Sequence, residues 1–210
     1  MAGGKQSPRQ KMINLMYLVF LAMMAMNMGK EVLSAFGLMN EKLTDANQRA
    51  TEKNAAAYAT LAQKAAEQEK QYGAAKEKTE ALRAEADDYF AYIADIKTRM
   101  TSELDPEDKK NYELMDKSNF LDGLFFQGGT ITAEGKEFVS KMDQFRKKAM
   151  ALLGDRPLAK VVASRFDTSP VKNNEGLQLN WLNYHYEGFP LIASLTKLTQ
   201  IQSDIKTTES

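Results

Sequence analysis

SPRQKMINLMYLVFLAMMAMNMGKEVLSAF, residues 7 to 36, holds the one long apolar run in an otherwise polar chain. Between Lys11 and Lys30 lie 18 residues without a charge, Met12 to Gly29. As a helix they span about 27 Å, close to the roughly 30 Å hydrocarbon core of a bilayer. Lys5, Arg9 and Lys11 precede the run with no acid among them, whereas Glu31 directly follows Lys30. The positive-inside rule therefore puts the N-terminus in the cytoplasm and everything after Gly29 across the membrane. A cleaved signal peptide fits poorly: the run exceeds the usual apolar length, and Ala22 and Ala25 are three apart where an A-x-A site needs two. A buried soluble helix fits less well, because no polar face interrupts the run. The expected organisation is a cytoplasmic tail (1–11), a transmembrane helix (12–29) and a domain beyond the membrane (30–210).

Several residues in and beside the run are not plain lipid-facing filler. Arg9 and Lys11 lie where long side chains can snorkel to water. Asn14 and Tyr17 sit one turn apart near the cytoplasmic end. As ordinary anchor features, the basic residues set topology and the tyrosine marks the interface. Ala25 and Gly29 form a small-xxx-small pair with Ala22 beside them, a surface on which a second helix can pack closely. No Asp or Glu lies between Met12 and Gly29, so proton-driven work would need an acid from a partner.

Composition narrows the classes. A 43% apolar and 27% charged chain can fold, and with zero net charge and no basic stripe it does not read as a nucleic-acid binder. The absence of cysteine removes disulfides, thiolate metal sites and cysteine nucleophiles, and a single histidine, His185, removes histidine-rich clusters. No nucleophile, base and acid can be grouped into a catalytic set, so no enzyme and no cofactor is expected.

Beyond the membrane the pattern is helical, and the expected fold is all-α: an antiparallel bundle of long helices. Only Gly73 interrupts a run of helix formers from Leu38 until Pro106. Phe36, Met39, Leu43, Ala46 and Ala50 form one seam with steps of three and four; Leu82, Ala86, Tyr89, Ile93, Ile96 and Met100 form a second. Either seam can serve one bundle core or a coiled coil between chains. Gly73 reads as the turn between antiparallel helices. LDPEDKKNYELMDK opens like a helix, with Asp105 as N-cap and Pro106 at the first position. SNFLDGLFFQGGTIT matches no phosphate-binding glycine motif and reads as a turn packed by Phe125 and Phe126. Thr132 caps a helix that Gly154 ends. Then come a short helix, a loop and an aromatic cluster of Trp181, Tyr184, His185 and Tyr186. A last helix from Pro190 carries the stripe Leu191, Leu195, Leu198, Ile201 or Gln202, and Ile205. It stops without a cap or breaker, as a portion of a longer protein would.

PRQKMINLMYLVFLAMMAMNMGKEVLSAFGLMNEKL, with the helical region after it and FPLIASLTKLTQIQSDI, resembles the N-terminal portion of the GldM (PorM-like) family, most specifically over residues 8 to 43. The resemblance implies an inner-membrane motor subunit of gliding motility and type IX secretion. It implies a homodimer whose membrane helices are surrounded by a ring of a GldL-like multi-helix membrane protein, five copies around two of this chain. Proton flow through the partner, which carries the membrane carboxylate, would turn the dimer, and the periplasmic part would carry motion to periplasmic and outer-membrane secretion components. Arg9 matches the family's basic position ahead of the membrane helix, the counter-charge to that carboxylate. Tyr17 matches its membrane tyrosine, and Lys11 and Asn14 stand beside them. The competing expectations are a passive signal-anchored periplasmic scaffold without energy conversion, and a secreted helical binding protein with a cleaved leader.

Overall fold

The computed structural model describes residues 8–210 except 103, 106, 117 and 118; the side chains of residues 22–28 and 119 are likewise outside the described set. The first helix, α1, runs unbroken from Pro8 to Glu67, 60 residues, or about 90 Å of rod. A single non-helical residue, Gln68 (φ −139°, ψ 66°), separates it from α2, Glu69–Met100. The two run antiparallel: the Arg83 guanidinium lies 4.9 Å over the Tyr58 ring and the Lys64 ammonium 5.9 Å over Tyr72. The expected turn at Gly73 is thus displaced to Gln68, and Gly73 lies inside α2. A glycine inside a helix costs only about 1 kcal/mol, which tertiary packing of the hairpin offsets.

The α2 seam is buried at all six expected positions, Leu82, Ala86, Tyr89, Ile93, Ile96 and Met100. The α1 seam is rotated from its expected place. Met39 and Ala46 face outward, while Leu33, Gly37, Asn47 and Asn54 are buried, with Phe36, Asn40, Leu43 and Ala50 at the margin. The reason is the neighbour. The last helix, α7 (Leu191–Glu209), lies against this face and offers polar groups, so asparagines occupy inward positions that apolar periodicity alone assigns to apolar residues.

After α2 the chain forms two single 3-10 turns, Asp108–Lys110 and Tyr112–Leu114, where a full helix is expected. Asn111 (φ −93°, ψ 83°) breaks helical geometry between them. Tertiary contacts override the local signals here: Met115 is buried and Tyr112 packs across α1, which draws the segment out as a strap. The Pro106 start position lies outside the described residues.

Then follow α3 (Asn119–Phe125), a minimal hairpin of β1 (Phe126–Gln127) and β2 (Thr130–Ile131), and α4 (Ala133–Leu153). The hairpin turn is Gly128-Gly129 with φ of 57° and 76°, a conformation that glycine adopts without a steric penalty. Thr132 caps α4 by accepting from the Gly135 N–H at 3.1 Å, and Gly154 ends it, both as expected. α5 (Pro157–Arg165), a second two-residue hairpin of β3 (Val171–Lys172) and β4 (Gln178–Leu179), and α6 (Trp181–Tyr186) complete the path to α7.

α7 is the axis of the bundle. It is buried on nearly every side and runs antiparallel to α2 but parallel to α1, because α3–α6 return the chain to the base of α1 before α7 begins. On the far side of α2, Tyr89 stacks on Phe145 at 5.1 Å, Phe145 meets Phe166 edge-on at 5.0 Å, and Phe138 contacts Phe125 at 5.0 Å and Tyr186 at 5.7 Å. Each such pair adds about 0.5–1.5 kcal/mol beyond the area it buries. They hold α4, α5 and α6 to the α1–α2–α7 core.

Candidate functional site in the amino-terminal arm

The sequence-expected site lies on the first turns of α1, which project beyond the bundle. From Met12 to Leu21 every residue is exposed, Met12 at 61%, Tyr17 at 64% and Phe20 at 62%. Among the described residues, Leu33 is the first on α1 to be buried. An apolar surface bare on all sides of a helix is strongly unfavourable in water, at about 25 cal/mol per Å². The arm is therefore built to be covered by lipid, by protein or by both.

Helical geometry sorts the arm's polar groups. Gln10, Asn14 and Tyr17 recur at i, i+4 and i+7 and share one face, and the Gln10 Nε2 donates to the Asn14 Oδ1 at 3.3 Å. Arg9 and Lys11, both exposed, flank that face from opposite sides, about 100° of helical turn per residue placing Tyr17 and Asn14 between them. Arg9, Lys11, Asn14 and Tyr17 thus all lie on the first turns of α1, with Arg9 and Lys11 on opposite sides of the helix. The side chains of Ala22 and Ala25 lie outside the described residues. At Gly29 no atom approaches within 4 Å of the place a Cβ would take, so that surface is open. Among the described residues no helix is long and apolar enough to cross a membrane; residues 22–28 fall within the apolar run 12–29.

The arm joins the bundle without a joint. Helical backbone continues through Lys30 and Glu31 into the turns that carry Leu33, Gly37 and Asn40. The strap meets α1 here: Lys30 pairs with Glu113 at 2.8 Å, and the Tyr112 hydroxyl donates to the Glu41 carboxylate. Further along, the α7 contact begins. The Thr196 hydroxyl donates to the Phe36 carbonyl at 3.1 Å, the Thr199 hydroxyl to Asn40 Oδ1 at 2.6 Å, Asn47 Nδ2 to the Thr199 carbonyl at 3.1 Å and Asn54 Nδ2 to the Lys206 carbonyl at 2.9 Å. Sequence reading missed these groups. Their signal was present in Asn40, Asn47 and Asn54, spaced by seven on a helix whose apolar seam steps by three and four.

The remaining chemistry-bearing side chains lie away from the arm. His185 packs on Trp181 with ring centroids 4.6 Å apart, and burial together with nearby Lys197 lowers its pKa. Its carbonyl accepts from the Lys197 ammonium, which lies 3.4 Å over the Phe189 ring. This is a packed histidine. Among the described residues no three His, Asp or Glu side chains gather as a metal site would require.

The family model described as the GldM N-terminal domain matches residues 31–210. No curated protein matches the chain. The matched range begins where α1 enters the bundle and takes in the strap, α7 and everything between, so the chain belongs to the GldM family and its helical bundle is the family's N-terminal domain.

Proposed function

We propose that this chain is the central, rotor-like subunit of a proton-driven inner-membrane motor, with α1 as the shaft. The GldM family belongs to the gliding-motility and type IX secretion machinery. In this reading residues 12–29 cross the membrane, the N-terminus is cytoplasmic and the bundle is periplasmic. Two copies pack their membrane helices along Ala22, Ala25 and Gly29, and a ring of five GldL-like partner chains surrounds them.

The observation that carries the reading is the continuity of α1 from Pro8 to Glu67. A helix that continues through the membrane exit passes rotation or tilt of the arm directly into the bundle, whereas a tether needs no such continuity. The lack of any acid between Met12 and Gly29 fits a division of labour in which the partner supplies the protonatable carboxylate. Arg9 stays charged while that carboxylate alternates between charged and neutral, so their attraction switches with each proton. Lys11 extends the positive collar, and Tyr17 and Asn14 offer hydrogen bonds on the face between. One proton crossing 100 mV releases about 2.3 kcal/mol, enough to bias which partner subunit the arm faces.

The test is co-purification of wild type, Arg9→Lys and Arg9→Ala with the membrane partner, read beside gliding and secretion. Arg9→Ala is expected to assemble and to lose both activities, with Arg9→Lys retaining part of them. Assembly with both activities intact would make Arg9 a topology signal and the chain a passive periplasmic scaffold.

A further inference from the structure

The strap packs directly onto α1 at Gly37. A Cβ built there would fall 2.1 to 2.4 Å from three atoms of the Tyr112 ring. No side chain can occupy that space while the ring does, so the glycine is a notch and the ring fills it. Glycine within a helix costs about 1 kcal/mol relative to alanine, and at Gly37 the close approach of Tyr112 accounts for it. The same ring is held at its far end, where the Tyr112 hydroxyl donates to Glu41, one turn along α1 from the notch. Partial burial and that bond to Glu41 push the phenol pKa up to about 12, which keeps it a donor. One residue on, Glu113 pairs with Lys30 at 2.8 Å. The strap's other side is fixed to the bundle: Met115 is 1% exposed, and its carbonyl accepts from the Ile192 N–H of α7 at 3.3 Å.

We propose that Tyr112 seated in the Gly37 notch is a positioning key that locks the rotation and height of α1 against α7 and the bundle, so that movement of the arm reaches the domain. The proposal rests on the motor reading and adds residues to it. Asn40, Asn47 and Asn54 set the register of α1 on α7 farther along, whereas the Leu33 and Phe36 side chains, where the arm enters, pack through apolar contacts, which are non-directional and do not by themselves resist turning. A ring sunk into the helix surface, bonded along the helix at Glu41, opposes turning and sliding there. The Lys30–Glu113 pair is exposed and contributes little by itself. The key sits at the first turns of α1 that touch the bundle, where load from the arm first arrives.

The experiment uses the full chain expressed with its membrane partner. Tyr112→Ala removes the ring and the hydroxyl; Tyr112→Phe keeps the ring in the notch. The combined Gly37→Cys and Tyr112→Cys substitutions replace the key by a covalent bond. With Tyr112 Cγ 2.2 Å from the Gly37 Cβ position, the two Cβ atoms lie no more than about 3.7 Å apart, at or below the roughly 3.5–4.5 Å of a disulfide, so the strap has to recede slightly for the bond to form. The chain has no other cysteine to confuse the pairing. Tyr112→Ala is expected to co-purify with the partner yet lose gliding and secretion, and Tyr112→Phe to keep most of both. The oxidised cysteine pair should be active and the reduced pair inactive. That last comparison uses one protein, so it decides the matter even if Tyr112→Ala fails to fold. Full activity of Tyr112→Ala, or an oxidised pair no more active than the reduced one, would overturn the key. Arg9→Ala in the same strain separates the two readings: its loss of activity beside a fully active Tyr112→Ala removes the key alone, whereas an active Arg9→Ala removes the motor reading.

Discussion

Asn54 Nδ2 donates to the main-chain carbonyl of Lys206 at 2.9 Å and also to the carboxylate of Glu209 at 3.0 Å. Seven residues earlier on each helix, Asn47 donates to the carbonyl of Thr199 at 3.1 Å. The equal spacing fixes one parallel register of α1 and α7, because a slip of one residue breaks both contacts and leaves buried amides without partners. The two asparagines differ in worth. Asn54 holds a buried acid as well as a carbonyl, whereas the Oδ1 of Asn47 is buried with no partner. Asn54→Ala should cost about 1–3 kcal/mol, the usual penalty for stranding a buried polar group. Asn47→Leu should stay within about 1 kcal/mol of wild type, because it removes an unpartnered acceptor as well as a donor. Chemical denaturation of both variants checks the order.

At the end of α7, Lys206 and Glu209 pair at 3.1 Å with side chains only 6% and 2% exposed, and Lys206 also reaches Asp87 at 3.2 Å. Removing one partner of such a pair leaves a charge in a poorly solvated place. Lys206→Met should therefore destabilise the bundle by about 3–5 kcal/mol. Adding Glu209→Leu should recover part of that loss, as apolar replacements of whole buried pairs commonly do, less the Asn54 bond that Glu209 accepts. A thermal-unfolding double-mutant cycle measures the coupling; additive losses would mean that the pair is not a unit.

How much of this was legible depended on whether the deciding contact was local. The α2 seam could be read because each of its residues meets apolar neighbours, so periodicity and burial coincide. Thr132 and Gly154 could be read because capping is satisfied within a turn. The inner face of α1 was misjudged because its partner α7 is more than a hundred residues away and presents carbonyls and hydroxyls, which periodicity counts as solvent. The strap was misjudged because Asp105 and Pro106 favour a helix start, while Tyr112 is held by Gly37 and Glu41 on another element. Arg9, Lys11, Asn14 and Tyr17 are picked out from charge, polarity and position, and the roles given to them belong to the proposal. Those proposed roles rest on a partner, which one chain's sequence does not contain.

Two half-buried lysines set a pH dependence. Burial lowers the pKa of Lys97, bonded to Gln202 at 2.8 Å, to about 8, and that of Lys197 also to about 8. In the unfolded chain both titrate near the ordinary 10.5. Between these values the unfolded state binds more protons, so stability rises as pH increases from about 8 and the penalty for burying the charged amines is relieved. The window closes near pH 10, where Tyr89 and Tyr186, held neutral by burial, begin to act in the opposite sense. Unfolding of the detergent-solubilised chain should show a midpoint climbing from pH 7.5 towards roughly pH 9.5. Lys97→Met should flatten that climb.

The central claim is that α1 transmits motion because it is one continuous helix from the arm into the bundle. A flexible Gly-Ser-Gly-Ser insertion between Glu31 and Val32, beyond the apolar run and before Leu33, interrupts the shaft while leaving arm, strap and bundle in place. Co-purification with the membrane partner, gliding and secretion would be measured together. The account predicts normal assembly with loss of both activities. Normal assembly with gliding and secretion intact would contradict it and leave the chain a tether.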